Sequence, residues 1–464
     1  MFSLRSRARW AVPLAVGLVA LGVGQLGTAE GAAARPAAPV RDDFNGDGYA
    51  DLAIAADHAT VGGQSKAGYV VVMYGGPHGL SATDGSRRTV ISRATSGIPG
   101  SPVKGQAFGT QLSKGDLDGD GYADLVIGTG GAGDAVVVWG GSRGLAGGTS
   151  VPGEISQTGD FDGDGRLDLA LFRPGHGGGD DPGGTEAVVW TGPVSRTGAP
   201  ARSSALDPEH LQYVDVTGGA TGDVDGDGRE DLALSVYCGD GNYCTDLYRA
   251  SASGLVRTGA HGGDHSVALG DINGDGYDDV VAGIGSDNRI DVAYGSASGI
   301  PQSATWKAFT QDSPGVPGAD ESNDMFGAAV AVGDVTGDGY DDVAVGAACE
   351  DLGDAKCTGD VTLLHGSRSG LTGTGAQFIS QNTSGIPGTS ETDDIFGYAV
   401  QLLDINGNGY ADLTAAAPHE NTGNGAVWEL RGRPGGIVPD AALSFGGRTL
   451  GTPYTKAQFG FAVE

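Results

Sequence analysis

The sequence predicts an all-β fold, a seven-bladed β-propeller whose ring is closed by the C-terminal strand joining the first blade. Three observations predict it. An acidic loop, in its fullest form Asp-x-Asp-Gly-Asp-Gly-x-x-Asp, recurs seven times, starting at Asp43, Asp116, Asp160, Asp223, Asp271, Asp334 and Asp404. Each copy runs into a short apolar stretch and then a hairpin, so a unit reads as about four short strands, the period of a propeller blade. Lastly, Phe-Gly precedes the loop at Phe108-Gly109, Phe326-Gly327 and Phe396-Gly397, and a fourth Phe459-Gly460 stands near the end with no loop after it. The first loop, at Asp43, has no Phe-Gly before it. Residues Phe459–Val463 therefore read as the missing first strand of that blade, which closes the ring and removes an exposed sheet edge. An open solenoid is the alternative.

Before the first loop, residues 1–34 read as a signal peptide. Arg5, Arg7 and Arg9 form the basic region, Trp10 to Leu26 is apolar, and Ala32-Ala33-Ala34 offers small residues for cleavage. The apolar stretch is short for a membrane anchor and is broken by Pro13 and several Gly. Residues 35–41 read as a short linker and 42–464 as the propeller. The expected product is a secreted monomer, extracellular or loosely associated with a cell wall, without a membrane span.

Gly is 87 of the 464 residues, at fixed offsets rather than in tracts, and long helical patterns are missing. The formal net charge of −31 argues against a nucleic-acid partner, because binding phosphate rewards Lys and Arg. The acid is concentrated in the loops.

Each loop is a candidate calcium site, with carboxylates at positions 1, 3, 5 and 9, a backbone carbonyl at position 7, and Gly at positions 4 and 6 to bend the chain around the ion. The candidate ligands are Asp43, Asn45, Asp47, Tyr49 and Asp51 in the first loop, and Asp116, Asp118, Asp120, Tyr122 and Asp124 in the second. The third and fourth offer Asp160, Asp162, Asp164, Arg166 and Asp168, then Asp223, Asp225, Asp227, Arg229 and Asp231. The fifth and sixth offer Asp271, Asn273, Asp275, Tyr277 and Asp279, then Asp334, Thr336, Asp338, Tyr340 and Asp342. The seventh offers Asp404, Asn406, Asn408, Tyr410 and Asp412. Position 12 is apolar, as at Ile54 and Ile127, where an EF-hand needs Glu, and a strand follows where an EF-hand or dockerin needs a helix. Turns without an ion are the plain alternative, but clustered carboxylates repel one another without a cation. Up to seven structural Ca²⁺ are expected. Loops 2, 3 and 4, with carboxylates at all four positions, should bind tightest, and loop 7 weakest.

After most loops the chain reads aromatic-Gly-x-x-x-Gly-Leu, as at Tyr74-Gly75 to Leu80 and Trp139-Gly140 to Leu145. The four cysteines form two local pairs, Cys238 with Cys244 and Cys349 with Cys357, each placed to close a hairpin in an oxidising compartment. Their spacing does not match a zinc site.

Phe-Gly, the acidic loop and apolar runs such as Val343 to Ala347 together resemble FG-GAP repeats, which build the seven-bladed propeller of integrin α subunits and of bacterial secreted relatives. The resemblance covers about residues 42–464. Repeats 2, 6 and 7 match fully, whereas repeats 3, 4 and 5 lack Phe-Gly and look more like VCBS-type repeats. The resemblance implies calcium loops on one face, between the first two strands of each blade, and partner binding by the longer connections on the other. Those connections are Asp57–Gly68, Cys238–Cys244, Ala319–Asp324, Cys349–Cys357, Thr389–Asp394 and Pro418–Gly425. The resemblance is to the headpiece propeller alone, so receptor signalling is not carried over.

No catalytic set was found: there is no Gly-x-Ser-x-Gly, His-Glu-x-x-His or phosphate loop. The histidines at 58, 78, 176, 210, 261, 265, 365 and 419 are scattered. His261 and His265 are expected in a solvated loop. His58 and His419 follow equivalent loops in blades that adjoin once the ring closes, so they could approach one another. The expectation is a binding or adhesion module rather than an enzyme, with an extracellular protein or glycan as partner. A carbohydrate-active enzyme or a lectin are the alternatives.

Overall fold

A computed structural model describes residues 41–175 and 181–464. The expected signal peptide, nearly all of the linker and His176 lie outside the described residues. The described chain is seven antiparallel sheets, each a simple meander. Six have four strands; the sixth blade, for example, is Phe326–Gly333, Asp342–Ala347, Asp360–His365 and Thr372–Ile379. The first strands of successive blades lie side by side from blade 2 to blade 7, which arranges the sheets around a centre.

Blade 1 has only three strands of its own, Leu52–Ala56, Tyr69–Met73 and Arg88–Ile91. Its fourth comes from the end of the sequence. Val463 pairs antiparallel with Ile54. Ala53 donates to the Glu464 carbonyl at 2.8 Å, and Ala55 to that of Ala462 at 2.9 Å. The ring closes as the orphan Phe-Gly foretold.

The core is divided accordingly. Buried apolar side chains gather into seven clusters, one in each gap between neighbouring blades. The second strands are buried on both faces because each blade is sandwiched between two others. Hence Leu52–Ala56, second once the closing strand is counted, is buried at every residue. Continuous Val, Ile and Ala suit such strands.

Phe-Gly proves to be a joint between blades. Phe108, Phe326, Phe396 and Phe459 are fully buried. The Phe108, Phe396 and Phe459 amides donate to the carbonyls of Ala67, Thr358 and Asn424 in the preceding blade. The next residue there is always Gly. A Cβ at Gly68, Gly359 or Gly425 would lie within 2.3 Å of the incoming Phe backbone. A methyl group at any of these glycines would push the blades apart.

Three short helices lie in connections, Pro208–Leu211, Glu420–Gly423 and Gly447–Leu450. No described helix is long and apolar enough to cross a membrane. Both expected disulfides, Cys238–Cys244 and Cys349–Cys357, are formed.

Phe459→Ala should lower unfolding free energy by about 3–5 kcal/mol, because its cavity opens inside the closing joint. Urea titration at fixed calcium checks this; a loss under about 1 kcal/mol would mean the closing strand contributes little.

Candidate metal loops and the opposite face

Because every blade is a meander, its first and third connections share one rim and its second and fourth the other. The acidic loops are first connections in blades 2 to 7, and in blade 1 the loop leads into Leu52–Ala56, the strand beside the closing strand. They occupy one face. The six longer connections singled out in the sequence are second or fourth connections, on the opposite face.

The loop fold is written in its residue types. Gly at positions 4 and 6 has φ between 68° and 89° in every copy, the left-handed region that Gly enters at no steric cost. The position-1 carboxylate faces back into the turn. Asp116 accepts from the amides of Gly119, Asp120 and Gly121 at 2.8, 3.0 and 2.8 Å. Asp118 and Asp120 each accept from the amide two residues on.

In three loops, one oxygen from each of three carboxylates lies within 4.8 Å of the others. They are Asp116, Asp118 and Asp124; Asp160, Asp162 and Asp164; and Asp223, Asp225 and Asp231. These are loops 2, 3 and 4, the ones with carboxylates at all four positions. Such oxygens suit a hard divalent cation.

Position 9 carries a second task that the ligand pattern hid. In all seven loops this Asp accepts an amide from the turn after the third strand: Gly75, Gly140, Gly192, Ala250, Gly295, Gly366 and Gly432, at 2.7–3.0 Å. In five loops it also accepts the position-2 amide: Phe44, Leu117, Phe161, Val224 and Val335. The aromatic-Gly motif is therefore the far end of this bridge. The signal available in the sequence was position 2, apolar in every copy and buried. Burial pushes Asp51, Asp124, Asp168, Asp231 and Asp279 up to about 7, against the lowering effect of these amides. Neighbouring loop carboxylates push the same way.

Position 7 was expected to offer only its carbonyl. In six of the seven loops its side chain also covers the position-4 Gly of the preceding loop, the exception being Gly119, which has nothing within 4 Å. A Cβ at Gly46 would lie 2.5 Å from the Tyr122 ring, at Gly226 2.8 Å from Tyr277, at Gly274 2.7 Å from Tyr340, and at Gly337 2.5 Å from Tyr410. Tyr49 covers Gly407 across the closing joint, and Arg229 covers Gly163.

Position 8 adds a further link. Glu230, Asp278 and Asp341 accept the position-1 amides of the preceding loops, Asp160, Asp223 and Asp271, at 2.8–2.9 Å. Arg41 pairs with Glu230, and Lys114 with Asp42 at 2.7 Å, so the chain entering blade 1 is tied to blades 4 and 2.

On the opposite face, His58 and His419 come to the same cleft. They line one cleft of about 740 Å³ with Lys66, Lys456, Glu391 and Asp394. Burial, then Lys66 and His419, lowers the His58 pKa. Of the two histidines expected in a solvated loop, His265 is exposed between strands, whereas His261 is not in a loop. His261 belongs to the strand Val256–Gly263, bonds to Asp291 at 2.8 Å and stacks on Trp306, with ring centres 4.0 Å apart. His265 packs on Tyr243.

Asp124→Ala should cost about 2–5 kcal/mol, because the buried Leu117 and Gly140 amides lose their acceptor. Denaturation in chelator isolates this from any metal; a loss seen only with calcium would leave Asp124 as a ligand alone.

Five segments match the FG-GAP repeat family model, residues 36–73, 108–142, 265–298, 326–362 and 396–430. Repeat 5 is among them, although its missing Phe-Gly suggested the VCBS type. Integrin alpha-3 of Cricetulus griseus is 30% identical over 191 residues, 41% of this chain and 17% of its own. Integrin alpha pat-2 of Caenorhabditis briggsae is 33% identical over 253 residues, 48% of this chain and 19% of its own. The match thus spans less than a fifth of either relative. A crystal structure of a protein from Lactobacillus plantarum covers 89% of this chain and 98% of its own at 12% identity, with a TM-score of 0.48. The chain carries FG-GAP repeats similar to those of integrin alpha subunits, arranged as a closed seven-bladed propeller.

Proposed function

We propose that this protein is an extracellular binding module, a propeller whose acidic loops hold calcium and whose opposite face holds a protein or glycan partner. The observation that carries the reading is the separation of the two faces. Carboxylates gather in threes along one rim, and the long variable connections crowd the other. Binding residues generally sit on variable connections held by a rigid frame. Similarity to integrin alpha subunits and the two disulfides favour an extracellular setting, with residues 1–34 as signal peptide and 35–41 as linker.

The residues proposed to hold calcium are those at positions 1, 3 and 5 with the position-7 carbonyl. Position 9 joins where its carboxylate reaches the others, as Asp124 and Asp231 do. The ion would supply charge neutralisation and hold the loop closed. A pull-down against cell-surface proteins and glycans, in calcium and in chelator, tests the partner half. Retention that survives substitution on the long connections but not on the acidic loops would reverse the assignment of faces. Turnover of a polymer would replace the binding reading with an enzymatic one.

The calcium half makes two predictions. At tenfold excess over Kd, each filled site stabilises by RT ln 11, about 1.4 kcal/mol, so the three carboxylate-rich loops together give about 4 kcal/mol. The melting midpoint should fall on adding chelator, and an unchanged midpoint sinks the calcium reading. The pH dependence should differ between the two states. The position-9 aspartates are raised to about 7 from an ordinary 3.8. In chelator their contribution is fully present below about pH 4 and is lost as pH rises through about 7. Calcium should remove most of that loss. Melts at pH 5 and 7.5, with and without calcium, check the sign.

A further inference from the structure

Loops 2, 3 and 4 carry carboxylates at the same four positions, yet they gather them differently. In loop 3, positions 1, 3 and 5 come together, as Asp160, Asp162 and Asp164. In loops 2 and 4, position 5 stays out and position 9 takes its place. The difference follows the arginines. Arg196, from blade 3, places Nε 2.5 Å from Asp118 Oδ2 and Nη2 2.6 Å from Asp120 Oδ2. It also donates to the Gly140 carbonyl at 3.1 Å and lies over the Trp139 ring at 5.7 Å. In loop 4, Arg229 Nη1 holds the position-5 Asp227 at 2.9 Å, and Arg249 holds the position-3 Asp225. Among the described residues, no ion pair reaches Asp160, Asp162 or Asp164.

We propose that Arg196 at loop 2, and Arg249 with Arg229 at loop 4, are tethered counter-cations that compete with calcium for the position-3 and position-5 carboxylates, leaving loop 3 the tightest of the three sites. This rests on the calcium reading above. A guanidinium presents a fixed fork that bridges two carboxylates, and it is always charged. An ion entering loop 2 must displace two charge-assisted contacts, whereas one entering loop 3 displaces none. The arginine also neutralises its loop when calcium is scarce. The loops are therefore graded: two are held by the protein's own cations and one depends on the ion.

Hydrogen exchange read by mass spectrometry resolves the loops during a calcium titration. The proteins are wild type, Arg196→Gln and Arg249→Gln, with Arg196→Lys, which keeps the charge but loses the fork. In wild type, protection of residues 160–168 should appear at lower calcium than that of 116–124 or 223–231. Arg196→Gln should move the 116–124 midpoint down about tenfold, as expected when a competing ion pair near the surface is removed. It should leave 160–168 in place and, without calcium, make 116–124 exchange faster. Arg249→Gln should do the same at 223–231, and Arg196→Lys should fall between. An unchanged or raised midpoint at the substituted loop overturns the proposal, as does loop 3 filling last. Calcium protection that is alike in all four proteins defeats the arginines alone. Absence of calcium protection in every loop, with an unmoved melting midpoint, defeats the calcium reading and this proposal with it.

Discussion

A buried carboxylate must be met by N–H groups, and every blade is built around one such encounter. The position-9 Asp lies at the start of the second strand and takes an amide from the turn after the third. In five blades it also takes the amide of the apolar position-2 residue. One side chain thereby fixes the acidic loop, the second strand and the third-to-fourth turn as a unit. Position 2 is then driven into the gap between blades, and the rest of the loop is left facing solvent with its remaining carboxylates together. The metal-like constellation is the outward half of a structural device.

Between blades the linkage is made of close backbone approaches. Gly68, Gly359 and Gly425 leave no room for a Cβ against the next Phe-Gly. The Tyr74 and Tyr294 hydroxyls accept the Leu145 and Leu371 amides of the following blade. On the acidic rim the position-7 rings lie over the preceding loops' glycines. Each joint is small, and the ring repeats it. Closure by residues 460–464 therefore matters beyond its few hydrogen bonds, since it turns a row of joints into a closed circle.

Most of this architecture was legible in the sequence because a repeat multiplies weak signals. One Asp-Gly loop or one Phe-Gly carries little, whereas seven loops and a displaced Phe459-Gly460 specify blade number and the closing strand. The facing of the loops followed from the resemblance to FG-GAP propellers, and both disulfides from the local spacing of the four cysteines. What stayed hidden depends on which side chain of one blade meets which residue of the next. Position 7 was read as a carbonyl donor because nothing within a single repeat shows Tyr122 lying over Gly46. His261 was read as solvated because Trp306 and Asp291, which hold it, come from the next blade. Arg196 lies 78 residues from Asp118, and no local pattern connects them.

The two rims can diverge in function because different constraints act on them. On the acidic rim, Gly at positions 4 and 6, an apolar position 2 and Asp at position 9 each answer to a backbone geometry that seven blades share. Charge varies at positions 3, 5, 7 and 8 and with the arginines that reach them, without altering the fold. On the opposite rim the connections differ in length, in sequence and in how they are tied, two of them by disulfides. The cleft at the closing joint is made of residues from four connections on this rim, His58, Lys66, Lys456, Glu391 and Asp394 among them. A rim held constant by backbone demands cannot easily be reshaped for a partner, and a rim free of them can. The physical requirement that makes the acidic loops alike is thus the argument for placing recognition on the face they leave unconstrained.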